Sequence, residues 1–200
     1  MLELLVSQFH ASSILELTAV IFAIAYLLLA IRENILCWYA AFISTSIFLL
    51  IFWQVNLYME SGLQVYYLAM AVYGWYQWTR GGNKQSGISI STWPIASHLL
   101  SLAVILIATI ASGYLLSENS DARLPYLDSF TTWASIVTTY MVARKVLENW
   151  IYWFVIDSIS IFLYLDRELY FTALLFAAYL VIVVFGFLVW FKQYRSEPQQ

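Results

Sequence analysis

Seven apolar runs follow one another along the chain, at residues 14–31, 35–53, 63–79, 94–116, 126–143, 149–165 and 169–191. Each is close to the ~20 residues a helix needs to cross the ~30 Å hydrocarbon layer of a bilayer. The two shortest, 63–79 and 149–165, fit helices of little tilt or a locally thinned bilayer. Polar or charged separators divide the runs: Arg32-Glu33-Asn34, Gln54 to Gly62, Arg80 to Lys84, Glu118 to Pro125, Arg144-Lys145 and Asp166-Arg167-Glu168. Segments of this length cannot satisfy their backbone groups in lipid as an open sheet, so every run is predicted to be helical. The segment Met1–Ser13 has no basic n-region and carries Glu3, so the first run reads as a retained span rather than a cleaved signal.

Composition strengthens this picture. Hydrophobic residues are 62% of the chain and charged residues 10%, against about 25% charged in a soluble domain. So sparse a charge cannot keep a surface in water, and the expected fold is one all-α integral membrane domain over residues 1–200. The net charge of -3, with few and scattered basic residues, points away from nucleic acid. Cys37 is the one cysteine, which excludes an intrachain disulfide and a thiolate metal site.

Charge placement gives an orientation. With the N-terminus outside, the inner segments hold Arg32, Arg80, Lys84, Arg144, Lys145, Lys192 and Arg195, and the outer segments hold Arg123 and Arg167. Lys and Arg accumulate on the cytoplasmic side, so the expectation is N-out and C-in, which requires an odd number of spans.

The chain also reads as an internal repeat. Glu33-Asn34 through Tyr39 aligns with Glu148-Asn149 through Phe154 at an offset of 115, whereas Tyr58, Tyr67, Gly74 and Trp78 align with Tyr170, Tyr179, Gly186 and Trp190 at 112. A three-residue deletion in the second copy would reconcile the two offsets. Two three-helix units, 14–79 and 126–191, would then flank a connecting helix, 94–116, that restores the same orientation to the second unit. This 3+1+3 arrangement of parallel repeats is one plan of transporters, with the site near the midplane between the halves.

Candidate chemistry follows from polar residues inside the spans. Asp157 falls near the middle of the sixth run, where a carboxylate costs roughly 2.5–3.5 kcal/mol and normally faces the bundle interior. Asn149, Trp153, Asp157, Ser160 and Tyr164 recur at intervals of three and four and share one helix face. Asn34, Trp38 and Thr45 mark the corresponding face of the second run, and Gln64, Tyr67, Ala71 and Trp75 or Trp78 mark a face of the third. Ring faces attract cations, amides fix hydroxyls or an exocyclic amide, and Asp157 supplies a countercharge. The pattern suits an aromatic, hydroxylated, cationic ligand. Two plainer roles compete: helix–helix packing for the stripes, and helix capping for Asn34 and Asn149. Asp157 as a proton relay is a further alternative.

Other positions have plainer assignments. Glu16 and Asp128 read as entrance or structural groups, His98 as a solvated interfacial histidine, and Trp75 and Trp78 as members of an interfacial belt. Gly74 and Gly186 permit close helix approach or bending and are the hinge candidates. Gly87-Ile88-Ser89 is a weak echo of a serine-hydrolase fragment without a histidine to serve it. No paired histidines or phosphate-cradling glycine loops occur, so no enzyme, metal or cofactor is expected. A membrane receptor or scaffold, and an intramembrane enzyme, are the rival classes.

The segments Leu63-Gln64-Val65-Tyr66-Tyr67, Tyr73-Gly74-Trp75-Tyr76-Gln77-Trp78 and Glu148-Asn149-Trp150 with Trp153 resemble the PnuC family of bacterial vitamin transporters, and the likeness covers nearly the whole chain. The resemblance implies a relative of the SWEET sugar transporters with the 3+1+3 plan, a homotrimer in the bacterial inner membrane. It further implies uptake of nicotinamide riboside by facilitated diffusion, with trapping through a cytoplasmic kinase. Related members carry thiamine, and a few carry riboflavin. Some members have an amide where Asp157 stands here, and an acid favours a cation more strongly, so thiamine competes with nicotinamide riboside. The candidate substrate-binding residues are Trp38, Gln64, Tyr67, Asn149, Trp153, Asp157 and Tyr179.

Overall fold

Backbone groups in so apolar a chain have mainly each other to bond, and in a computed structural model they do so, among the described residues, as seven helices: α1 (Ile14–Ile31), α2 (Leu36–Gln54), α3 (Tyr58–Arg80), α4 (Ile95–Asn119), α5 (Pro125–Ala143), α6 (Asn149–Asp166) and α7 (Tyr170–Ser196). The structure describes residues 14–54, 58–81, 87–119, 124–166 and 170–196. The segment Met1–Ser13 and the charges Lys84, Arg123 and Arg167 lie outside the described residues, as does the side chain of Tyr58.

The helices match the apolar runs one for one, with two extensions of about five residues. Helix α3 begins at Tyr58 rather than near 63, and α7 runs to Ser196 rather than 191, because i→i−4 bonding continues past the edge of an apolar stretch into its polar flank. By length and composition α1, α2, α4 and the Thr172–Ser196 stretch of α7 can each cross a membrane alone. Helices α3, α5 and α6 fall outside this set, and each buries polar side chains against its neighbours, among them Ser61, Thr138 and Asp157.

Helix contacts form a closed ring of six. Helix α1 packs on α2, α2 on α3, α3 on α5, α5 on α6, α6 on α7, and α7 returns to α1; α4 stands outside and packs on α5. The position of α4 is evident in its surface, where Leu99, Leu100, Leu106, Ile107 and Leu115 are exposed. The ends of α1, α3, α5 and α7 and the starts of α2 and α6 meet at one end of the ring. Arg32, Arg80, Arg144, Lys145, Lys192 and Arg195 all sit at this basic end, and among the described residues no Lys or Arg sits at the other.

The turns at the basic end repeat one backbone design. After α1, Glu33 N–H donates to Ala30 O at 3.0 Å and Asn34 N–H to Leu29 O at 3.0 Å; after α5, Lys145 N–H donates to Val142 O and Val146 N–H to Met141 O, both at 2.9 Å. This is the Schellman closure, whose left-handed position is usually glycine. Here Glu33 and Lys145 occupy it, each at φ 50°, a conformation that costs an L-residue roughly 1–2 kcal/mol.

These matched positions lie 112 residues apart, as do the pairs Gly74/Gly186 and Trp78/Trp190. The matching turns, glycines and indoles thus follow the offset of 112 and not the 115 read for the Glu-Asn segments. Asn34 stands in the turn before α2, whereas Asn149 opens α6, so the two are not structural equivalents. Under the offset of 112, Trp38 corresponds to Trp150, not Trp153.

The segment from Gly87 to Pro94 crosses the basic end and joins the α5–α6 turn as a single β-bridge between Ser91 and Val146. Ser91 N–H donates to Lys145 O at 3.0 Å, and Leu147 N–H to Ser91 O at 2.8 Å. Gly87, at φ 84°, faces the Trp78 carbonyl so closely that a Cβ has no room. The glycine of the Gly87-Ile88-Ser89 segment thus serves this turn.

Candidate functional site

Four indoles fill the axis of the ring at the basic end. Trp38 meets Trp78 edge-on, with centroids 5.3 Å apart and planes at 86°. Its counterpart Trp150 meets Trp190 at 5.3 Å and 89°, and Trp78 and Trp190 touch each other at 6.1 Å. Gly74 and Gly186 make this possible, since a Cβ on either would collide with the ring of Trp38 or Trp150. Trp78 is 7% exposed and Trp190 is fully buried, which corrects the placement of Trp78 in an interfacial belt. It lies on the inner face of α3, where the indoles of Trp38 and Trp190 receive it.

Two of the indoles bond across the ring. Trp78 Nε1–H donates to Val142 O at 3.3 Å, and Trp190 Nε1–H donates to Ala30 O at 3.1 Å. Lys145 Nζ lies 2.7 Å from Glu33 Oε2 and 4.8 Å from the Trp78 ring centroid. The α3–α5 seam is further held by Tyr66, whose hydroxyl donates to Ile136 O at 2.8 Å. Tyr73 bonds Arg144 and so pushes that guanidinium further above its already high range.

Deeper in the ring the side chains become hydroxylated and acidic. Asp157, eight residues into α6 or ~12 Å from its start at 1.5 Å per residue, is 3% exposed. Tyr179 of α7 lies within electrostatic reach of Asp157 and Tyr164, and its ring packs on Phe176 at 5.3 Å. Tyr67 of α3 hydrogen-bonds Ser135 of α5 and lies within reach of Tyr164. Tyr26 of α1 lies within reach of Tyr67. These groups form a band of hydroxyls that spans both halves and ends on one carboxylate.

The sequence-predicted residues divide into three groups. Tyr67, Tyr179 and Asp157 join this band. Trp38 and Asn149, 2% and 0% exposed, belong to the indole layer below it. Trp153 is half-buried against both apolar clusters of the core, and Gln64 is half-buried on α3. The α6 stripe does face inward: Asn149, Asp157 and Ser160 are buried, while Ile151, Phe154, Phe162 and Leu165 on the other faces are exposed. Two open apolar grooves run along the outer surface of α6, and none of the seven candidates lines either.

Capping separates the two asparagines. Asn34 Oδ1 accepts from Leu36 N–H at 2.9 Å, whereas Asn149 donates Nδ2–H to Val146 O at 2.6 Å. Asn149 Oδ1 bonds nothing among the described residues, and the same holds for the buried Nε1–H groups of Trp38 and Trp150. Trp150 was missed by sequence reasoning, though the 112-residue offset of the later segments already pointed to it. His98, taken as solvated, is instead wedged against α6. Its Nδ1 lies 3.0 Å from the Tyr152 hydroxyl, its Nε2 lies 3.8 Å from Glu148 Oε1, and its ring stacks on Tyr152.

A helical ring with apolar outer faces and a buried band of aromatic, hydroxyl, amide and carboxyl groups defines a class, the multi-pass membrane proteins with a polar interior. Residues 13–192 match the nicotinamide mononucleotide transporter family, and the chain belongs to that family, as a membrane transporter of the PnuC type. It is similar to the nicotinamide riboside transporter PnuC of Escherichia coli (strain K12), with 25% identity over 194 residues covering 84% of this chain and 81% of the relative. It is also similar to the riboflavin/roseoflavin transporter RibM of Streptomyces davaonensis, with 25% identity over 178 residues covering 86% and 82%. In fold it resembles the crystal structure of the vitamin B3 transporter PnuC, with a TM-score of 0.75 at 21% identity, covering 98% of this chain and 91% of that one. The family and these relatives are transporters, not enzymes.

Proposed function

We propose that this transporter takes up an aromatic cation, nicotinamide riboside first and thiamine second, by facilitated diffusion across the bacterial inner membrane. The observation that carries the reading is Asp157, a carboxylate 3% exposed and grouped with tyrosine hydroxyls in a membrane-embedded ring. A cationic ring against this acid gains a countercharge and aromatic walls. The amide oxygen of Asn149 and the indole N–H groups of Trp38 and Trp150 offer one acceptor and two donors for a carboxamide or ribose hydroxyls. Trp153, Gln64, Tyr67 and Tyr179 complete the proposed binding set.

A mononucleotide fits less well. Its phosphate would need a cation, and Lys145, the buried basic residue at the ring axis, is already bonded to Glu33. Riboflavin, neutral, would leave Asp157 without a charge partner.

In this reading two like-oriented three-helix units, 14–79 and 126–191, joined by the 94–116 helix in the SWEET-like 3+1+3 plan, alternate access to a midplane site. Gly74 and Gly186 are the flexing points. The basic end faces the cytoplasm, giving N-out and C-in, and a cytoplasmic kinase traps the cargo by phosphorylation. Three copies assemble, each with its own path.

The test is exchange of labelled nicotinamide riboside, thiamine and riboflavin into liposomes holding the purified protein, with no ion gradient. Exchange of one of the two cations is expected, with Asp157→Asn weakening its apparent affinity roughly tenfold or more, about 1.4 kcal/mol or above. Uptake that demands an imposed proton gradient and disappears in Asp157→Asn makes Asp157 a proton relay and ends the passive reading. A protein that exchanges none of the three is no carrier of this class of cargo.

A further inference from the structure

Glu33 and Lys145 hold equivalent positions in the two halves, 112 residues apart, and yet they touch. Equivalent positions of two related units meet only near the axis that relates them, so this ion pair lies where the halves converge. It caps the indole layer, with Lys145 Nζ 2.7 Å from Glu33 Oε2 and 4.8 Å from the Trp78 ring centroid. Both side chains are largely withdrawn from solvent, at 10% and 18% relative exposure.

The backbone at these residues does not need the side chains. Each turn is closed by main-chain bonds, Glu33 N–H to Ala30 O and Lys145 N–H to Val142 O, and glycine is the residue best suited to their φ of 50°. A strained backbone position kept by a charged residue in both halves points to work done by the side chain. The halves carry opposite charges at the matched position, so the two residues attract across the axis.

We propose that the Glu33–Lys145 ion pair is the latch of a gate at the basic end, closing the four-indole layer, and that it parts when the interior opens toward that end. The inference rests on the carrier reading. Breaking the pair frees Lys145 from Trp78 and lets the Trp78–Val142 and Trp190–Ala30 bonds separate as the turns move apart. Intact, it biases the protein toward closure at this end.

The chain contains its own reporter. Cys37, the one cysteine, is fully buried, sits at the start of α2 under the latch, and lies within electrostatic reach of Lys145. The experiment measures labelling of Cys37 by a membrane-impermeant thiol reagent, applied to the basic end of full-length protein in vesicles. Three variants are compared with wild type: Glu33→Gly, Lys145→Met and the charge-swapped double Glu33→Lys/Lys145→Glu. The expected result is labelling on the order of tenfold faster in each single variant and a return to near the wild-type rate in the swap.

Glu33→Gly keeps the test clean, because glycine relieves the turn and offsets part of the cost of leaving Lys145 unpaired, and labelling is expected to rise by more than any fall in thermal midpoint accounts for. Labelling that stays at the wild-type rate in Glu33→Gly overturns the latch, as does labelling that rises only in step with a fall in thermal midpoint. A charge swap that labels as fast as the single variants overturns it too. Labelling is read without substrate, so a failed latch with intact cation exchange leaves the carrier reading standing, and absent exchange removes the carrier reading whatever Cys37 does.

Discussion

A methyl group at residue 74 or 186 would have to share its place with an indole ring. The contact at Gly74 is with Trp38 and that at Gly186 is with Trp150, and rings locked edge-on to their partners have little freedom to yield. Gly74→Ala and Gly186→Ala are each expected to destabilise the protein by about 1–3 kcal/mol, the usual penalty for overpacking a filled core. Gly62 is the control, since a Cβ there meets nothing within 4 Å; Gly62→Ala in the same helix is expected to be neutral or stabilising by up to about 1 kcal/mol. Thermal unfolding in detergent measures all three. Equal loss at Gly62 and Gly74 would mean that helix flexibility, not indole packing, governs these sites. The glycines stood out in the sequence because they recur at one offset, but the rings they face lie 36 residues away along the chain, and nothing local announces them.

At the scale of elements, the starts of α2 and α6 look alike in sequence and differ in structure. Asn34 bonds the Leu36 N–H and so orders the entry to α2. Asn149 bonds backwards to Val146 O and leaves its oxygen turned into the buried core. Asn34→Ala is expected to lose about 1 kcal/mol of stability, as caps generally do, with ligand affinity unchanged. Asn149→Ala is expected to reduce the thermal shift induced by nicotinamide riboside or thiamine by more than it lowers the ligand-free midpoint. A loss confined to the ligand-free midpoint would make Asn149 a packing residue. The inward face of α6 was legible beforehand, because a polar side chain every third or fourth residue has one direction that avoids lipid. The depth of Trp78 was not, because an indole beside Arg80 satisfies an interfacial belt and a buried axis equally well in sequence, and only the presence of Trp38, Trp190 and Val142 O decides between them.

At the scale of the molecule, the two crossing indole bonds are equivalents of each other: Trp78 to Val142 and Trp190 to Ala30. Trp78→Phe and Trp190→Phe each remove one donor while keeping most of the ring. Each is expected to lower stability by about 0.5–1.5 kcal/mol, and the two losses should agree closely if the halves share the closure evenly. A loss confined to one variant would show that one seam carries the joint.

The sequence by itself determined the seven helices, the inward face of α6 and the gathering of described basic residues at one end. These are consequences of the bilayer acting on each segment separately: a run of about 20 apolar residues must be helical in lipid, and a buried carboxylate must turn from it. Only the tertiary structure decided that the turns at Glu33 and Lys145 match, that Trp38 and Trp150 make the same edge-on contact, and that Glu33 meets Lys145. Those depend on how the ring closes, and residues that meet across an axis from positions 112 apart leave no trace in the spacing of either neighbourhood.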